Sequence, residues 1–132
     1  MKDREIRQLL ETSKTIAVVG LSDKPDRDSY RVAEYLQQHG YHIIPVNPTV
    51  DQVLGEKSYA SVNDIPEPVD IVDIFRKPEA VGPVVEEAIA AGAKAVWMQL
   101  GIVNEEAAQA AEAAGLQVVM DRCIKIEHGR LL

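Results

Sequence analysis

The stretch Thr15-Ile16-Ala17-Val18-Val19-Gly20-Leu21-Ser22-Asp23-Lys24-Pro25-Asp26-Arg27-Asp28-Ser29 decides the fold. It opens on five residues, mostly apolar, reaches a glycine, and ends on residues able to start a helix. Val32, Ala33 and Leu36 then fall on one helical stripe. Strand, glycine turn and helix together open a parallel strand–helix–strand unit.

The pattern repeats along the chain. Residues 42–46, 71–75, 94–98 and 116–120 are further short apolar runs, as expected of strands covered on both faces. Val85, Ala88 and Ile89 mark a second helical stripe, and Ala107, Ala110, Ala111 and Ala114 a third. Gly40, Gly92 and Gly115 each stand between a helical stretch and a strand, where a left-handed residue closes a helix. Asp28 or Ser29 is expected to cap the first core helix and Asn104 the last, while Pro83 suits the first turn of the middle one. Residues 6–11 predict a short helix ahead of the first strand. Residues 57–60 are a sixth strand candidate inside a connection too long for a plain loop. The fold class is α/β: a Rossmann-type doubly wound parallel sheet in three layers, with five to six strands. By analogy the strand order is 3-2-1-4-5-6.

Length and composition narrow the function. A chain of 132 residues is expected to form one domain over 1–132. Its net charge of −7 argues against nucleic acid and anionic membranes, although a small anionic ligand responds to a local field instead. One cysteine, Cys123, allows no internal disulfide, and the charged N-terminus resembles no secretory signal, so a cytoplasmic location is expected.

In such sheets ligands sit beyond the carboxyl ends of the strands, where the order reverses. The loop from Gly20 to Ser29 is one side of that crevice. It could hold a phosphate on a helix N-terminus, or be a plain strand–helix turn. Neither the G-x-G-x-x-G fingerprint nor a P-loop is present. Asn47 ends the second strand where an NAD-binding domain carries an acid; it is either a ribose-side residue or a turn residue before Pro48. Arg76, after Phe75, is the strongest cationic candidate for an anionic ligand. Lys24, Arg27, Arg31 and Lys57 could add to its field, while Asp23, Asp26 and Asp28 oppose it. Gln99 and Gly101 end the fifth strand run. Trp97 is expected in the core, and Asp73 needs a partner if buried. Cys123 reads as a buried small thiol, with disulfide exchange with a bound thiol the bolder reading. The three histidines show no metal-ligand spacing, and no G-x-S-x-G elbow occurs.

The ordered set Val18-Val19-Gly20-Leu21-Ser22, Arg27, Ser29, Pro45-Val46-Asn47-Pro48, Gly55, Tyr59, Asp70-Ile71-Val72-Asp73-Ile74-Phe75-Arg76, Trp97-Met98-Gln99-Leu100-Gly101 and Asp121-Arg122-Cys123 resembles the small single-domain CoA-binding proteins. These are similar to the CoA-binding domain of the succinyl-CoA synthetase α subunit. The resemblance implies coenzyme A, or an acyl-CoA, as ligand. It implies Gly20, Ser22, Lys24, Arg27, Ser29, Asn47, Phe75, Arg76, Gln99 and Gly101 as the binding set. The synthetase's phosphohistidine and nucleotide-grasping subunit have no counterpart in these residues, so ligase chemistry is not expected. An NAD(P)-dependent oxidoreductase on the same fold is the alternative.

Overall fold

The computed structural model describes residues 1–132. Seven strands form: β1 (Thr15–Val19), β2 (His42–Val46), β3 (Gln52–Val53), β4 (Glu56–Lys57), β5 (Ile71–Ile74), β6 (Ala95–Met98) and β7 (Gln117–Val119). Five α-helices accompany them: α1 (Asp3–Thr12), α2 (Asp28–Gln38), α3 (Val81–Ala90), α4 (Glu105–Ala113) and α5 (Ile124–Leu131). Five strands make one parallel sheet in the order β2-β1-β5-β6-β7.

Strand alternation divides the core in two. Ile16, Val18, Ile71, Ala95 and Trp97 face α1, α2 and α5, meeting Ile6, Leu10, Val32, Leu36 and Ile124. Ala17, Val19, Val72, Ile74, Val96 and Met98 face α3 and α4, meeting Val81, Val85, Ala88, Ala107 and Ala111. Three layers result, and Trp97 is fully buried as expected, its indole N–H donating to the Arg122 carbonyl at 2.8 Å.

Several expectations are corrected. The sixth strand is not a full member of the sheet. Residues 52–57 instead form an antiparallel hairpin, β3–β4, and only Tyr59 bridges Val46 in parallel. Its N–H donates to Pro45 and its carbonyl accepts from Asn47, so one residue keeps the outer place beside β2. Neither Asp28 nor Ser29 caps α2. Arg27 stands at that position without a side-chain cap, and the Ser29 hydroxyl is turned toward the preceding loop. Asn104 does cap α4, accepting the Ala107 N–H at 2.9 Å. Helix α5, which runs past the last strand expectation, was not foreshadowed by any clear stripe.

Candidate functional site

The strand order reverses between β1 and β5, and a cleft of about 470 Å³ opens on the α2/α5 side of the sheet's carboxyl edge. Phe75 and Gln99 form its floor, from the ends of β5 and β6. The first turn and a half of α2 supplies Asp28, Arg31 and Val32. The start of α5 supplies Cys123, Lys125 and Ile126, and the loop after β6 supplies Leu100 and Ile102. Two helix N-termini therefore flank one cleft, each presenting unsatisfied N–H groups and a partial positive charge. Neither Arg31 nor Lys125 is in an ion pair.

Gln99 is the best-defined polar group there. It is 5% exposed, and its Oε1 accepts the Ile124 N–H at 3.1 Å. That bond fixes which end of the amide faces α5. The Nε2 donors have no protein partner and are left to the cleft.

Around the cleft, the loops are tied to one another rather than to open space. The Ser22 N–H donates to the Ser29 hydroxyl at 3.0 Å, and the Ser22 hydroxyl accepts from the Lys24 N–H at 3.1 Å. Asn47 joins the two neighbouring loops: its Nδ2 donates to the Leu21 carbonyl at 3.0 Å, and its Oδ1 accepts from the Thr49 N–H and hydroxyl. The Asn47 side chain is thus committed to holding loops, and no carboxylate takes the position of a ribose ligand. Gly20 adopts φ +86°, and a Cβ on it would collide with the Phe75 carbonyl oxygen. The close approach that Gly20 permits is to the neighbouring strand end. Gly101, at φ +84°, donates its N–H to Asp121 at 2.7 Å.

Of the ten residues expected at the site, Phe75 and Gln99 line the cleft itself. Ser22, Ser29 and Asn47 shape its rim loops through the bonds above. Lys24 and Arg27 are exposed on the first loop, and Arg76 is half-buried, with no ion pair among the three. Lys125 and Ile126 were missed, because α5 carries no strong periodic signal, and Ile102 was missed because it lies in the loop after β6. Arg31 was visible only as an added charge. Cys123 is half-buried rather than sealed in the core.

Asp73 precedes Phe75 on the same face of β5. It is fully buried, and neither carboxyl oxygen has a hydrogen-bond partner. Burial pushes its pKa well above the ordinary carboxylate value, the Ile74 N–H opposing weakly. Burial therefore favours the protonated form of this acid in the middle of the sheet. Asp70, just before β5, is the opposite case. Burial acts to raise its pKa, but the Lys14 and Thr15 N–H groups and the Lys94 ammonium outweigh it and hold the value low.

Residues 14–129 match the family model described as a CoA binding domain. The chain belongs to the CoA-binding domain family. Within it, the chain is 50% identical over 124 residues to YneT of Bacillus subtilis (strain 168), covering 94% of this chain and 92% of that protein. A solved structure of a hypothetical protein from Pyrococcus horikoshii OT3 superposes with a TM-score of 0.97 at 48% identity, covering 99% of this chain and 92% of that one. The family extends into ligases: the ADP-forming acetate–CoA ligase II of Archaeoglobus fulgidus is 33% identical over 101 residues. That match takes in 75% of this chain but only 15% of the ligase, so the chain corresponds to one segment of a much larger enzyme. No helix is long and apolar enough to cross a membrane.

Proposed function

We propose that the chain binds coenzyme A, free or acylated, across the cleft between α2 and α5, and that it does so without catalytic turnover of its own. The observation that carries the reading is the Gln99 amide. The two partnerless donors of a nearly buried side chain face a cleft at the sheet's switch point, in a chain of the CoA-binding family. Coenzyme A suits such a place chemically. Its phosphates are matched by helix N-termini and by guanidinium groups, and the amides of its pantetheine arm accept from Nε2. Apolar Val32, Phe75, Leu100, Ile102 and Ile126 offer a wall for its uncharged portions. We expect the remaining contacts from Gly20, Ser22, Lys24, Arg27, Asn47, Arg76 and Gly101, which stand outside the strands at their carboxyl ends, and from Ser29 in the first turn of α2. The name of the Archaeoglobus ligase, which joins acetate to CoA, supports the same ligand for this segment.

Titration calorimetry with CoA, and with NAD as comparison, tests the reading. Saturable binding of CoA and not of NAD is expected. No binding at millimolar CoA, or preference for NAD, refutes it. Arg76 has no ion pair or hydrogen bond of its own to lose. Arg76→Ala should therefore weaken CoA by more than about 1 kcal/mol, the scale of one charge-assisted contact, with the urea midpoint unmoved.

A further inference from the structure

We propose that Cys123 undergoes thiol–disulfide exchange with the disulfide form of coenzyme A, so that the cleft captures the cofactor as a mixed disulfide. The inference rests on the CoA reading above. Cys123 is half-buried at the N-terminal cap of α5 and lines the same cleft as Gln99. The independent pointer to a ligand is Gln99, 5% exposed, with its Oε1 occupied and its Nε2 donors free toward the cavity. Those donors match the amide carbonyls of the pantetheine arm, which ends in sulfur. Arg31 and Lys125, free of ion pairs, flank the approach for a polyanionic disulfide.

The step balances without a further oxidant. The Cys123 sulfur attacks one sulfur of the CoA disulfide; a bond between Cys123 and one CoA forms as the original disulfide bond breaks. The second CoA leaves as thiolate and takes the proton given up by Cys123. The protein thiol is oxidised and the departing CoA reduced. Cys123 is the only cysteine in the chain, so no second thiol of the protein can resolve the product. The adduct persists until an external thiol reduces it.

The experiment treats the folded chain with equimolar CoA disulfide or oxidised glutathione and follows intact mass. One CoA should attach at Cys123 at least ten-fold faster than one glutathione. Excess reduced CoA should slow the CoA reaction, and Cys123→Ser should form no adduct. Equal rates for the two disulfides, no slowing by reduced CoA, or no adduct would overturn the proposal. Calorimetry of the wild-type chain with reduced CoA separates the two readings. Binding without adduct leaves the cleft a CoA site and removes the exchange; no binding removes both.

Discussion

At Gly20 a single hydrogen in place of a methyl group lets β1 and β5 close on each other. The residue combines φ +86° with a Cβ position occupied by the Phe75 carbonyl oxygen. Gly101 shares the positive φ, +84°, but a Cβ there meets open space. The two sites separate backbone strain from collision. Gly101→Ala should lose about 1 kcal/mol through strain alone. Gly20→Ala should lose at least about 2 kcal/mol more, because backbone atoms must move. Urea unfolding of both variants checks this, and equal losses would show that Phe75 does not constrain Gly20. The residue was legible as special from its place after an apolar run. The reason was not, because Phe75 is brought beside it only by the sheet. Ser29 shows the same limit: its type and position suit a helix cap, yet its hydroxyl serves the Ser22 N–H once the loop folds back.

Among the elements, β1 and β2 were legible to the residue, because four apolar positions in a row after one polar residue leave little room for another reading. The hairpin β3–β4 escaped because two-residue strands show no periodicity. Its turn relies on Leu54 and Gly55 at positive φ, one of them an unusual residue for that conformation. Helix α5 escaped for a related reason, with Gly129 and four charged or histidine side chains among its eight residues. The loss was functional, since α5 brings Cys123, Lys125 and Ile126 to the cleft. Strand β5 carries the clearest local conflict, Asp73 in an otherwise apolar strand between Val18 and Trp97. Its raised pKa means that the folded chain keeps a proton that the unfolded chain releases above about pH 4. Stability must then fall as pH rises from the unfolded value toward the folded one, by up to about 1.4 kcal/mol per unit. Asp73→Asn removes the ionisation and most of the shape change. It should be more stable than wild type at pH 8, with the advantage shrinking toward pH 4. Urea midpoints across that range read the effect, and parallel pH profiles would place the charge elsewhere.

Taken as a molecule, the chain closes on itself through α5. Arg130, near its end, pairs with Asp3 of α1 at 2.8 Å and with Glu127 at 2.7 Å, while Arg122 pairs with the other oxygen of Glu127 at 2.8 Å. The layered architecture was legible in outline from alternating runs, because local patterning dictates layers, whereas the strand order rested on analogy. This closure was not, since it joins residues from opposite ends of the chain. It bears on the cleft, because the helix it anchors forms one wall. Glu127 is 5% exposed. Burial acts to raise its pKa, but the Arg122 and Arg130 guanidiniums outweigh it and hold the value below the ordinary one. A carboxylate with a lowered folded pKa contributes stability above its unfolded value of about 4.5, and that contribution is lost as pH falls through the folded value. Glu127→Gln keeps the size and can still accept a hydrogen bond, but it removes the charge that both guanidiniums share. Its urea midpoint should lie below that of wild type at pH 7, and the gap should narrow as pH falls below 4.5 through the lowered folded value. If the gap stays constant through that fall, α5 is held by its buried Ile124 face and not by its ion pairs.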